Sequence, residues 1–432
     1  MVSEALSLLV FLATIVAINA RIIDETVVAL VGLTAMVVLA GYRPDDAFHA
    51  VDWNVIMILL GMWMITAYLN RAGFSEAVVR FVSRRVRDYR LFLVYLMLIA
   101  GFISMFVDNV LVILLLGSMV IEAARRNGAN IGLAVLMIGF SANFMGTALL
   151  MGDLPPQLLH SVAGAEFLDF IWSRGKPSSF PLLTITFLAV TGLMYFLFIR
   201  REPSMLQLPE TSSSGVGADR RLLNISVFFF AATVAAMALR PLLGVPLGFI
   251  TIAGASLLAL TVEVWRRLGG RVPSFEEIIG DVEWRALMFY ALLFSLVGGL
   301  EESGVLRRAA EHLQPYVQAG GVAAYTVFYW VTGLLSTMIE HDALLLTFLY
   351  IVRNAANLAG VDAWPLYWAM AWAATLGSNA TIVAAPALYV AVTMAEKAGH
   401  RISPREFLRY SLTYATASLV IHYLLTLPLW GT

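Results

Sequence analysis

The sequence predicts an all-α polytopic membrane protein made of two inverted-topology repeats, each with a helical re-entrant hairpin and a broken transmembrane helix. Three observations predict it. Of 432 residues, 60% are hydrophobic and 13% charged, with a mean hydropathy of +0.82; no soluble globular domain needs so much apolar residue. Long apolar runs recur between short Arg-bearing loops, as in helical membrane proteins. Polar clusters then interrupt apolar sequence at matching places in the two halves, Asp108-Asn109 in the first and Glu340-His341-Asp342 in the second.

In chain order, the first spans are expected near Ala5–Ala20, Thr26–Ala40 and Asn54–Asn70. The run Leu6–Ala20 lacks a basic n-region and a convincing cleavage site, so it reads as a retained span and not a signal peptide. Phe74–Val86 alternates arginines with apolar residues, which suits an amphipathic helix lying in the interface, or an ordinary loop helix. Leu91–Ala124 as one helix would be roughly 50 Å long, against a bilayer core of about 30 Å. Two arms of about 24 Å with a polar tip at Asp108-Asn109 make a hairpin instead. Leu133–Leu150 follows as a span with polar residues in its middle, then a loop at Gly152–Lys176 and a span at Leu182–Ile199. The segment Glu210–Gly215 is flexible in composition, which divides the chain into an N-terminal repeat (1–200), a cytoplasmic linker (201–221) and a C-terminal inverted repeat (222–432).

The second half repeats the pattern. Spans are expected at Leu222–Leu239, Leu247–Val264 and Ala286–Leu300, then an amphipathic stretch at Val305–Val317. A hairpin follows over Tyr325–Ile339 and Ala343–Val352, then Trp364–Met394, interrupted at Gly377–Thr381, and finally Phe407–Leu427. Spacing supports a duplication: Trp53 lies 20 residues before Gly73 and Trp284 lies 20 before Gly304, while Ser104 and Ser336 each precede a tip carboxylate, Asp108 or Glu340, by four.

Basic loops fix the orientation, being enriched on the cytoplasmic side. Arg21, the 71–90 segment, Arg125/Arg126, Arg200–Arg221, Arg266–Arg271 and Lys397–Arg409 are placed inside, which puts both termini outside. The first hairpin then enters from the cytoplasm and the second from outside, with Arg85 and Gln314 on opposite faces. Arg307 and Arg308 violate the rule, although Glu301, Glu302 and Glu311 surround them.

An ionisable residue at membrane depth is a functional-site hypothesis by default. Asp108 is a candidate site residue with Asn109, and it could equally N-cap the helix that follows. Glu340, His341 and Asp342 form the second candidate. His341 could titrate with its neighbours in a proton relay or simply bond a carbonyl. Asn143, Gly146 and Thr147 lie mid-span, as do Gly377, Ser378, Asn379 and Thr381. Such residues either release backbone groups toward a solute or pack helices closely; their appearance in both halves favours the site. Asp52 and Glu283 read as interfacial anchors beside Trp53 and Trp284. There are no cysteines, and His49, His160, His312, His400 and His422 have no metal-ligand spacing. No HExxH, GxSxG or phosphate-loop motif appears, so nothing supports an enzyme, a cofactor, a resident metal or nucleic-acid binding.

Several segments resemble the ion transporter superfamily, in the branch of arsenite permeases, the melanosomal P protein and sodium/proton antiporters. Val51-Asp52-Trp53 through Gly73-Phe74 is similar to that family's span ending in TGF, and Ser104 to Asn109 to its SAFLDN tip. Asn143-Phe144-Met145-Gly146 with Gly152-Asp153-Leu154-Pro155-Pro156 is similar to NIGG…GDPPN, Leu376–Thr381 to LGGNGT, and Lys397–Phe407 to EQHGY.FSFMEF. The chain departs from the pattern at Glu340-His341-Asp342 (usually Asp-Asn), at Gln157 for the terminal Asn, and at Ala384 for a glycine. The resemblance implies a secondary transporter in a cell inner membrane, a homodimer with elevator-type movement, and a role for Asp153 in the site. The expected cargo is a small cation or an arsenite-like oxyacid, coupled to H+ or to Na+ held at Asp108, Asn109 and Asn143. Carboxylates at the tips oppose the anion preference of paired helix N-termini. A carboxylate symporter is therefore the first rival, and a passive channel the second.

Overall fold

The computed structural model describes residues 2–74, 77, 86–206 and 220–431. Its helices are α1 (Glu4–Ala20), α2 (Glu25–Ala40), α3 (Pro44–His49), α4 (Trp53–Arg71), α5 (Tyr89–Ser104), α6 (Asn109–Arg126), α7 (Ile131–Met145), α8 (Leu154–Ala163) and α9 (Ser179–Leu197) in the first half. The second half holds α10 (Arg220–Ala238), α11 (Arg240–Leu243), α12 (Leu247–Arg267), α13 (Phe275–Gly280), α14 (Trp284–Glu302), α15 (Val305–Ala319), α16 (Gly321–Leu335), α17 (His341–Ala359), α18 (Trp364–Ser378), α19 (Pro386–Lys397) and α20 (Pro404–Trp430). A two-residue hairpin, β1 (Trp172–Ser173) and β2 (Lys176–Pro177), precedes α9. Six of the described helices are long and apolar enough to cross a membrane. Most of the amphipathic helix expected at 74–86, with Arg85, lies outside the described residues, as does 210–215.

The same series of elements runs twice. From α4 and α14, α6 and α17, and α8 and α19, the starts are displaced by 231 or 232 residues. Each hairpin turns on a carboxylate cap, which satisfies amide groups that a helix start leaves open. Asp108 accepts from the N–H groups of Val110 (2.9 Å) and Leu111 (3.4 Å), and Glu340 from those of Asp342 (3.1 Å) and Ala343 (2.8 Å).

One expectation needs correcting. Leu133–Leu150 is not a single span followed by a long loop; helix α7 ends at Met145 and the chain resumes a helix at Leu154. Asp153 caps that new start, accepting from Leu154 N–H at 2.9 Å, and Pro155 and Pro156 occupy its first turn, where a missing N–H costs nothing. The second broken span divides likewise into α18 and α19, with Pro386 opening the second arm.

Helix α20, roughly 40 Å long at 1.5 Å per residue, connects the two ends of the bundle. Near its start Glu406 accepts from Asn130, and at its finish Trp430 donates to Pro177. The first hairpin is rooted at the Glu406 end: Arg90 donates to the Glu202 carbonyl, the N–H of Asn130 to the Glu202 carboxylate, and Arg125 to the Ala398 carbonyl. The second is rooted at the Trp430 end, where Gly321 lies against Gly431, Arg353 and Asn354 meet Glu301, and Asp362 pairs with Arg174. The two hairpins therefore enter from opposite ends and meet in the interior. Arg308, the exception to the charge rule, pairs with Glu4 at 2.7 Å and Arg307 with Glu311 at 3.6 Å, so acidic partners offset both.

Candidate functional site

The hairpin tips and the second arms of the broken spans converge on a cavity of about 440 Å³. Asp108, Asn109, Asp153, Glu340, His341 and Asp342 line it, each less than a tenth exposed. Sequence positions as distant as 108 and 342 meet because the hairpins are rooted at opposite ends.

The first tip is tied into a hydrogen-bonded network. Asn109 Nδ2 donates to Asn143 Oδ1 at 3.1 Å and to Asp153 Oδ2 at 2.8 Å. Asn143 donates in turn to Ser378 Oγ at 2.9 Å, and Thr147 and Thr375 hydroxyls lie 2.6 Å apart. Asn143, Thr147 and Ser378 thus join the two broken spans behind the cavity wall. The break is pulled against the tip at Gly152, whose missing side chain leaves room for carbonyls. A Cβ there would lie 2.3 Å from Gly146 O, 2.5 Å from Ser104 O and 3.0 Å from Met105 O.

The other predicted residues are buried or half-buried and do not line the cavity. Gly146 packs against Asp153, and Gly377 against the Gly333 carbonyl of α16, a backbone approach that only glycine permits. Asn379 donates to the Thr375 carbonyl. Thr381 donates to the Thr337 carbonyl at 2.7 Å and accepts from Ala384 N–H, fixing the unwound segment to the second hairpin.

The second tip is held differently. His341 Nδ1 lies 2.9 Å from the Ala384 carbonyl and 3.3 Å from Glu340 Oε1, and its Nε2 stands 3.6 Å from Asp342 Oδ1. The end of α1 reaches this tip: Glu340 N–H donates to Asn19 Oδ1 at 3.2 Å. From the turn that follows, Arg21 donates to the Val383 carbonyl at 3.1 Å and sits 5.1 Å from the Tyr389 ring centre.

Sequence reading missed part of the wall. Arg21, Asp24 and Glu25 from the α1–α2 turn line the cavity mouth, as do Glu283 and Arg285 at the start of α14. Glu283, expected as an interfacial anchor, belongs to the cavity. Asp52 instead caps α4 and accepts from Ser161. The one signal for the mouth was the density of charge in 21–25, between two apolar spans.

Opposed hairpins, broken helices and a buried polar cavity between them define a membrane transporter. A family model described as "CitMHS: Citrate transporter" matches residues 9–373. The chain belongs to this family, a member of the ion transporter superfamily. A protein described as an uncharacterized transporter of Mycobacterium tuberculosis (strain ATCC 25618 / H37Rv) is 28% identical over 426 residues, covering 95% of each chain. The human P protein is 24% identical over 479 residues, covering 93% of this chain and 57% of that protein. Among solved structures, the YdaH transporter of Alcanivorax borkumensis matches with a TM-score of 0.53 and 16% identity, over 88% of this chain and 85% of that one. That likeness concerns the fold.

Proposed function

We propose that this chain is a secondary active transporter that moves a small cation, or an uncharged oxyacid, in exchange for protons by alternating access to the cavity between the two tips. The observation that carries this reading is charge. Seven carboxyl groups line the cavity (Asp24, Glu25, Asp108, Asp153, Glu283, Glu340 and Asp342) against two guanidinium groups, Arg21 and Arg285. Arg285 is already paired with Asp24, and Arg21 is engaged by Val383 and Tyr389. A free anion entering such a cavity meets repulsion, whereas a cation or neutral solute replaces its water with oxygen ligands.

Sodium at Asp108, Asn109 and Asn143 is the alternative coupling ion. Asp108 and Asn109 line the cavity and Asn143 Oδ1 belongs to the same hydrogen-bonded network, oxygen donors of the kind a hard cation takes. Basic residues gather at the Glu406 end, so we place that end in the cytoplasm of an inner membrane and both termini outside. A homodimer is carried over from the resemblance.

Carboxylate symport is the second reading, favoured by the family's description and by Arg21 on the wall. Flux in proteoliposomes separates these readings. The proposal expects saturable cation or oxyacid flux driven by an imposed pH or sodium gradient. Gradient-driven citrate uptake without such flux would establish the second reading, and non-saturable, gradient-independent leakage would make the chain a channel.

A further inference from the structure

Among the described residues each tip leaves a buried side-chain atom unpaired, Ser104 Oγ at the first and His341 Nε2 with Asp342 Oδ1 at the second. Only at the second do the unpaired atoms belong to ionisable residues that line the cavity, and that difference points to a ligand. At the first tip, the Asn109 amide nitrogen, the Asn143 side chain and the Asp153 carboxylate are all hydrogen-bonded. At the second, His341 Nε2 and Asp342 Oδ1 are buried without a hydrogen-bond partner among the described residues. His341 is 1% exposed and Asp342 3%. A buried polar atom left without a partner is costly, so a ligand is expected to satisfy these two.

The tautomer follows from the neighbours. A carbonyl only accepts, so the Ala384 contact at 2.9 Å places the ring proton on Nδ1. A neutral His341 then turns the lone pair of Nε2 toward Asp342 Oδ1, 3.6 Å away. Two acceptors facing one another repel, and the gap is too long for a shared proton. It suits a metal ion: two bonds of about 2.1 Å meeting at roughly 120° span it. Glu340 stands at the other edge of the ring, Oε1 3.3 Å from Nδ1. One ligand atom from each of the three residues lies within 4.8 Å of the others, so Glu340 is a third ligand once its side chain turns from the cap. The Nδ1–H to carbonyl bond is the usual outer contact of a ligating histidine, which fixes the ring and makes Nε2 more basic.

We infer that Glu340, His341 and Asp342 bind a divalent cation of the first transition row, such as Mn2+, Co2+ or Zn2+. The inference deepens the cation reading above and rests on it for the role of that ion as cargo. Imidazole beside two carboxylates favours this class over Na+, Mg2+ or Ca2+, which prefer oxygen alone. The cavity is larger than a bare ion, which leaves room for bound water in the open coordination positions.

Co2+ titrated into the purified full chain, followed by visible absorption, tests this directly. One Co2+ per chain is expected, with bands stronger than those of the aqueous ion. His341→Asn and Asp342→Asn should each weaken binding at least about tenfold, near the range seen when groups around a metal are removed. The unmutated chain gives the same answer independently of whether the variants fold: pulsed EPR of bound Mn2+ should show coupling to an imidazole nitrogen. Absence of saturable Co2+ binding, absence of nitrogen coupling, or full affinity in both variants would each overturn the assignment. Coupled flux of sodium or an oxyacid without Co2+ binding sinks the metal site and leaves the transporter reading standing. Co2+ binding without coupled flux of any solute does the reverse.

Discussion

The first hairpin tip and the second occupy equivalent places in the two halves, cap their helices in the same way and face one cavity, yet they are finished differently. Asp108-Asn109 is locked to Asn143 and Asp153, and through Asn143 to Ser378 across the break. Glu340-His341-Asp342 leans on the end of α1 and on the unwound segment through Asn19 and Ala384, and keeps two ligand atoms unpaired. A satisfied network holds a rigid position, whereas unsatisfied buried atoms are costly unless a ligand completes them. On the proposed reading the first tip orients the broken spans and holds a carboxylate at the cavity, and the second grips cargo.

Substitutions can break that contrast, and the largest effect is expected at the first tip. Asp108→Asn retains a side-chain oxygen that caps Val110 and Leu111, and removes only the charge. Gradient-driven flux should fall by about a hundredfold, equal to some 2.7 kcal/mol of barrier, with little change in Tm. Normal flux in the variant would reduce Asp108 to a helix cap.

Next in size is a ligand effect confined to the second tip. Co2+ at about 100 times its Kd should stabilise the wild-type chain by roughly 2.7 kcal/mol, seen as a rise in Tm that a chelator reverses. The rise should vanish in His341→Asn and persist in Asn109→Ala. A shift of equal size in all three proteins would place the ion elsewhere.

Asn109→Ala strands two buried acceptors, Asn143 Oδ1 and Asp153 Oδ2, and should cost about 1–3 kcal/mol of stability. Denaturant or thermal unfolding in detergent would read it. A neutral result would show that the first network is looser than its distances of 2.8 and 3.1 Å indicate. Smallest is the cap itself at the second tip. Glu340→Ala loses both amide contacts and should cost about 1 kcal/mol, whereas Glu340→Gln keeps one acceptor oxygen of the two, should lose less stability and should still weaken Co2+ binding. Equal Tm values for the two variants would remove the cap from the account.

Much of this was legible in the sequence, and the reason is physical. A carboxylate or amide inside an apolar run has a cost that only a tip, a break or a site justifies, so Asp108, Asn143, Glu340 and Asn379 announced themselves. The first break was less visible. Leu133–Leu150 is apolar throughout except for its small polar residues, and the helix after it begins at Asp153-Leu154-Pro155-Pro156, which reads as loop punctuation until the cap is seen. The cavity mouth was least visible. Arg21, Glu25 and Glu283 sit at span ends, where charge is ordinary, and only the tertiary approach of the α1–α2 turn to the second tip brings them to the site. No local pattern encodes that approach.

The whole contrast depends on two tips reached from opposite sides of the membrane. The absence of native cysteine makes this accessible. Arg126 ends the second arm of the first hairpin and Asn357 lies near the end of the second arm of the second, and both are exposed. In Arg126→Cys and Asn357→Cys, labelled with a membrane-impermeant maleimide, position 357 should react on intact cells and position 126 only after permeabilisation. Reaction of both from the same side would contradict the opposed hairpins, and with them the account of the site.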